Sequence, residues 1–239
     1  MECNASKWGI VENSATVSWS ATRSAGTGTS IYNNPTSSDY KSFYVSAVTG
    51  SKGSEWVIRR FFTAFNVSSY ATGYTITNLK LYYKPTASGS ATPSGATSKI
   101  AAVKSTAQGN ANSDLTTADY DSFDDSVDYA DNDGTDVWLD GTTLSYFDLN
   151  STAISAFSGS YLKVCILEYV NDYSNGTPIA GTLISGYGNY DWEGSGYKPY
   201  LSFTATATGY GNDVIGVSSA NIASVNAVAT ADISEIIGV

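Results

Sequence analysis

Glu55-Trp56-Val57-Ile58-Arg59-Arg60-Phe61-Phe62-Thr63-Ala64-Phe65 and, after a short polar turn, Thr75-Ile76-Thr77-Asn78-Leu79-Lys80-Leu81-Tyr82-Tyr83 decide the fold class. The first segment is dense in aromatic and β-branched residues, which suit a pleated backbone. In the second, Ile76 and Leu79 flank an irregular step, after which Leu81 and Tyr83 oppose Lys80, Tyr82 and Lys84. A period of two marks an antiparallel strand with one face on a core and the other in water. Two such strands in succession predict an all-β chain.

Working outward, the same criteria predict strands near 29–33, 43–49, 55–65, 75–84 and 98–105, then near 143–149, 160–170, 179–187 and 197–207. The gap from 106 to 136 is dominated by Ala, Asn, Ser and Asp. A short helix is predicted over 151–157, with Asn150 supplying N-cap chemistry. About nine antiparallel strands separated by polar turns make a jelly-roll β-sandwich. Three segments follow: an extended N-terminal arm over 1–28, the sandwich over 29–208, and a tail over 209–239.

Composition narrows the function classes. Hydrophobic residues make up 42% of the 239, enough for a real core. The 12 basic residues face 22 acidic ones, a net charge of −10 that repels phosphate backbones, so no nucleic-acid partner is expected. The chain contains no His, which removes Ser-His-Asp and Cys-His catalysis and imidazole-ligated zinc. Its two cysteines are Cys3, near the N-terminus, and Cys165, inside an apolar strand where a lone Cys serves as a small hydrophobe; pairing between them cannot be read from sequence. No stretch approaches the ~20 apolar residues of a membrane span. Met1-Glu2-Cys3-Asn4 lacks a basic region followed by an apolar run, so no signal peptide is expected. The composition is nevertheless of an extracellular type, rich in Ser, Thr, Tyr, Asn and Gly. The combination suits a protein released by lysis, as virion proteins are, or a secreted one.

Four segments carry a resemblance. They are Trp56-Val57-Ile58-Arg59-Arg60-Phe61-Phe62 running into Phe65-Asn66-Val67-Ser68, then Thr75 to Tyr83, then Tyr146-Phe147-Asp148-Leu149-Asn150, and finally Gly196-Tyr197-Lys198-Pro199-Tyr200-Leu201-Ser202-Phe203. Over roughly residues 29–207 the chain resembles the DNRLRE-type β-sandwich, a jelly-roll relative of carbohydrate-binding modules. That family carries R-x-F-x-x-F-D-x-S, I-T-x-A-x-L-x-L-Y and F-D-L/V-T segments and a closing P-x-L-x-V-x-Y strand. These are core and edge patterns, so the resemblance implies a fold and not a site. One departure is Asn66 where the family has Asp. The Tyr-Lys-Pro-Tyr-Leu ending is similar to copies found in phage virion proteins.

The tail has its own pattern. Aligning Ala220 with Ala231 superposes Ile222 on Ile233, Val225 on Ile236 and Val228 on Val239, a period of eleven. Gly216, Gly238 and the density of Val and Ile disfavour one continuous helix. Alternating short helical turns and short strands fit better, and such repeats need stacking partners. The tail resembles Ile-Gly-Val repeats that end tailed-phage structural proteins. Ile215, Val217, Ile222, Val225, Val228, Ile233, Ile236 and Val239 are its candidate assembly residues.

Two clusters offer chemistry. Nine aspartates fall between Asp119 and Asp140. The plain reading is a solvated acidic loop, and no cofactor is expected; the alternative is Ca²⁺, with Asp131, Asp133 and Asp136 as ligands. Tyr187, Tyr190, Trp192 and Tyr197, interleaved with glycines, form a candidate glycan-binding cluster. Sugar C–H faces stack on aromatic rings, while Asn189, Asp191 and Glu193 would bind hydroxyls. The plain reading of the same residues is core and turn aromatics, which are common in sandwiches. Paired catalytic carboxylates of the glycosidase kind have no matching pattern, so no enzyme is expected. The expectation is a homo-oligomeric virion structural protein, a trimer if it forms a fibre, that meets other virion proteins and glycans. Its rival is a secreted carbohydrate-binding or adhesive module.

Overall fold

The computed structural model describes residues 1–15, 18–34, 42–43, 45–50, 53–83, 85–86, 100–109, 113–130, 145–176, 188–190, 198–208, 224–225 and 228–229. Its strands, in chain order, are β1 (Glu2–Asn4), β2 (Lys7–Ala15), β3 (Ser30–Asn33), β4 (Ser42–Phe43), β5 (Val45–Gly50), β6 (Gly53–Asn66), β7 (Tyr74–Tyr83), β8 (Pro85–Thr86), β9 (Ile100–Ser105), β10 (Phe123–Asp128), β11 (Ser145–Asp148), β12 (Tyr161–Glu168), β13 (Gly188–Tyr190), β14 (Tyr200–Ala207), β15 (Ser224–Val225) and β16 (Val228–Ala229). Helices are few and short: α1 (Trp19–Arg23) and α2 (Ser151–Ala156), besides single turns.

Two antiparallel sheets form the body. The smaller has the order β1-β14-β7-β11; the larger has β10-β9-β12-β6-β2-β3, with β5 also paired to β6. The all-β sandwich class read from the sequence is therefore the class observed, with four and seven strands in its sheets where the sequence suggested about nine in all. Between the sheets Ile10, Phe61, Phe65, Ile100 and Ile166 of the larger meet Leu79, Leu81, Phe147, Leu201 and Phe203 of the smaller.

A second apolar layer lies on the opposite face of the larger sheet. Val11, Ile58, Phe62, Val103, Cys165 and Leu167 point there, under a cover of Trp19, Leu115 and Tyr120. The central strand β6 is thus buried on both faces, which explains its nearly unbroken apolar run. Burying a Phe or Ile side chain contributes about 1.5–3 kcal/mol, so Phe61, Phe62 and Phe65, all fully buried, anchor both layers at once.

The first 28 residues are not an arm. β2 pairs with β6 from Lys7↔Ala64 to Ala15↔Trp56 and with β3 on its other side, so it lies inside the larger sheet with Trp8, Ile10 and Val11 buried. Gly9 permits this crowding: a Cβ there would meet the Tyr32 carbonyl oxygen at 2.5 Å and Leu115 Cδ1 at 2.8 Å. β1 instead closes the smaller sheet against β14. Cys3 packs against the inter-sheet core and Cys165 lies in the second layer; both are free thiols.

The irregular step in β7 is a bulge. Ser202 pairs with Lys80 and Thr204 with Thr77, so Asn78 and Leu79 together oppose Phe203 alone. Asn78 takes φ +53° there, a left-handed conformation Asn tolerates. After β6, Asn66 Oδ1 accepts hydrogen bonds from the Ser68 amide (3.1 Å) and hydroxyl (2.7 Å); the Asn for Asp departure keeps this turn's acceptor. The helix read over 151–157 is α2, with Asn150 Oδ1 accepting from the Thr152 and Ala153 amides as anticipated. The strand expected over 179–187 lies outside the described residues.

Candidate functional site

The outward face of the smaller sheet collects the most chemistry on a regular frame. Alternation along β7, β11 and β14 turns Leu81, Phe147, Leu201 and Phe203 inward and leaves their sequence neighbours outside. Register then does the rest: Tyr82 pairs with Tyr200 on one side and Tyr146 on the other. The Tyr82 and Tyr200 rings stack with centroids 4.9 Å apart and planes 1° from parallel, and Tyr146 sits 5.2 Å from Tyr82 at 44°. Tyr146 is 36% exposed. Lys80 lies over the Tyr146 ring at 3.7 Å and pairs with Asp148 at 3.2 Å. Slight desolvation works against its ammonium, but hydrogen bonds to Asp148 and Tyr146 outweigh it and raise its pKa. The Tyr200 phenol is also raised, by burial first and then by Glu2 and Tyr82. Beyond the bulge the same face continues as exposed Thr75, Thr77, Thr204 and Thr206, with Thr204 opposite Thr77 and Thr206 opposite Thr75.

A second cluster is buried. Arg60, 1% exposed, projects from β6 into the outer apolar layer and meets Asp172 in a bidentate pair, Nε to Oδ2 at 2.9 Å and Nη2 to Oδ1 at 2.8 Å. Nη1 donates to the Tyr120 carbonyl at 3.0 Å and Nη2 to that of Arg23 at 2.8 Å. The guanidinium also lies 4.1 Å above the Tyr120 ring and 4.6 Å from that of Phe123. Burial works against the charge, and Asp172, as charge and as acceptor, more than offsets it, so the Arg60 pKa is raised. Asp172 is delivered by a π turn, Tyr169–Tyr173, whose Asn171 and Asp172 amides donate to the buried Glu168 carboxylate at 2.6 and 3.2 Å. A half-open cleft of about 270 Å³, lined by Arg23, Ser24, Arg60, Asp121, Phe123 and Asp125, lies above it. With four hydrogen bonds directed into the protein, Arg60 holds the layer together rather than offering itself to a ligand.

The expected clusters fall differently. Tyr187, Trp192 and Tyr197 lie outside the described residues, as do Asp131, Asp133 and Asp136. The backbone of Tyr190 ends β13, opposite Pro85 of β8, which follows β7 almost directly in sequence. The aspartates that are described have local uses. Asp119 Oδ2 accepts from the Thr116 amide and hydroxyl, and Asp121 lies 3.5 Å from Arg60. Asp124 caps Ser126, Asp125 lies 3.6 Å from Arg23, and Asp128 accepts from the Ala130 amide. In the tail, Val225 pairs with Val228 across β15 and β16. Ile215, Val217, Ile222, Ile233, Ile236 and Val239 lie outside the described residues.

The tyrosine row escaped the sequence reading. Water-facing Lys80 and Tyr82 were legible from alternation in β7, but the pairing that brings Tyr146 and Tyr200 beside them joins segments over 60 and 110 positions away. No helix among the described residues is long and apolar enough to cross a membrane. No family model, curated protein or solved structure matches this chain.

Proposed function

We propose that the chain is a non-enzymatic structural protein of a bacteriophage particle, a tail fibre, head fibre or decoration subunit. A DNRLRE-like, jelly-roll-type sandwich faces the exterior and meets surface glycans, while the repeat tail joins copies to one another or to other virion proteins. The carrying observation is the hairpin β15–β16. Two-residue strands with Val225 opposite Val228 form too small a unit to stand alone in water, and the eleven-residue period repeats their apolar positions once more at Ile236 and Val239. Such units become stable by stacking.

A non-catalytic role draws support from how three of the described glutamates are used. Glu12 pairs with Arg59, Glu55 with Ser14, and Glu168 holds the π turn. These engaged carboxylates are poor candidates for the general acid of a glycosidase. The rival reading, a secreted carbohydrate-binding or adhesive module, draws on the tyrosine row. Light scattering on the full chain beside a version ending at Thr208 separates the two. A defined oligomer that becomes a folded monomer on truncation is the expected result; monomers in both cases would overturn the assembly reading and leave the adhesive one.

A further inference from the structure

We propose that the outer face of the smaller sheet is a binding surface for neutral polysaccharide, with Tyr146, Tyr82 and Tyr200 as its contact row. This rests on the glycan-meeting part of the function proposed above and adds the place and the ligand class. The three tyrosines stand in register on adjacent strands, and with strands ~4.8 Å apart the row is ~10 Å wide. Each ring carries an apolar body and a hydroxyl that both donates and accepts. A sugar polymer presents the matching alternation of C–H patches and hydroxyls, repeated along its length. The exposed threonines beyond the bulge carry the hydroxyl field further along the same strands.

Charge selects among occupants. Among the described residues of this row the cation is Lys80; it is neutralised by Asp148 at 3.2 Å and covers the Tyr146 ring, so an acidic polymer finds little to pair with at it. The net charge of −10 opposes an acidic polysaccharide and the identical face of a second copy alike. A neutral polymer meets neither barrier. The stack of Tyr82 on Tyr200 and the lysine over Tyr146 also fix the rings in advance, which lowers the ordering cost of binding.

The test uses the full chain, mixed with insoluble cellulose, chitin and mannan, and with alginate as an acidic comparison. Retention on at least one neutral polymer is expected. The double variant Tyr82→Ala/Tyr146→Ala should weaken that retention about tenfold or more, while Asp114→Asn, which belongs to an ion pair away from this face, leaves it unchanged. Tyr146→Phe keeps the ring and loses the hydroxyl, giving a milder variant, and a thermal melt on each protein establishes that it folds. Absence of retention on every neutral polymer, retention on alginate alone, or equal retention of the folded double variant would overturn the proposal. Light scattering on the same samples reads assembly separately. An intact oligomer that ignores polysaccharide defeats this inference alone, and a polysaccharide-binding monomer defeats the assembly reading alone.

Discussion

Arg60 shows how one side chain can serve in both a sequence pattern and a fold without serving in a site. It occupies the arginine of the R-x-F-x-x-F-D-x-S pattern, and the structure gives it four hydrogen bonds and two aromatic neighbours in a layer the sequence did not reveal. Removing Asp172 alone would strand a buried cation, so Asp172→Ala should cost about 3–5 kcal/mol, whereas Arg60→Met with Asp172→Leu should cost less than that single change. Urea unfolding of Arg60→Met, of Asp172→Leu and of the double completes the cycle. A second residue-scale expectation concerns pH. Burial raises the pKa of the Tyr120 phenol and of the Cys165 thiol, so the folded state favours their neutral forms. Groups with raised folded pKa stabilise fully below their unfolded values, about 8.5 for Cys and 10 for Tyr, and that stability is lost as pH climbs beyond them. The melting temperature should therefore fall between pH 8 and pH 11. Tyr120→Phe should flatten this decline while costing about 1 kcal/mol at neutral pH, through loss of its hydrogen bond to the Thr22 carbonyl. An equal alkaline decline in the variant would contradict the assignment.

Elements divide into those whose residues announce them and those whose neighbours decide them. β7, β9, β11, β12 and β14 were legible within a few residues because one or both faces are apolar in a regular pattern. Even the bulge in β7 left a trace, as the irregular step at Thr77-Asn78. β2 was missed because Trp8, Ile10 and Val11 are buried on two faces around Gly9, which erases the alternation. β10 was missed for the opposite reason. Phe123-Asp124-Asp125-Ser126-Val127-Asp128 has poor strand propensity, and β9, its partner among the described residues, accepts it with a register shift. Three aspartates on that edge keep it solvated and discourage a foreign strand from pairing there. The glycan cluster around Trp192 was an element-level guess from composition, whereas the tyrosine row needs the pairing of three strands. Gly9→Ala tests the packing of β2 most directly. Its Cβ would meet backbone at 2.5 Å, so a loss of about 1–3 kcal/mol is expected, measured as a lower urea midpoint with an unchanged slope.

At the scale of the whole molecule, the sandwich and the tail are expected to be stabilised on different terms. The body has two apolar layers of its own, so ending the chain at Thr208 should leave its melting temperature nearly unchanged while removing self-association. A large drop in melting temperature would mean that the tail packs on the sandwich instead. The expectation of two parts comes from the sequence, where an eleven-residue period differs visibly from alternating strands. What the sequence could not convey is that the opening residues belong to the body. Met1 donates its amine to the Phe203 carbonyl at 2.7 Å, β1 pairs with β14, and β2, beginning three residues after β1 ends, runs beside the central strand of the other sheet. On the ribosome, β2 finds β6 within some fifty residues, whereas β1 must wait until almost two hundred more have emerged. A nascent chain therefore carries an unclosed sandwich for most of its synthesis, with Leu81 and Phe147 exposed to neighbouring chains. Docking of β14 between β1 and β7 is then a late closing step, and a chain stalled before Tyr200 should be the species that chaperones hold.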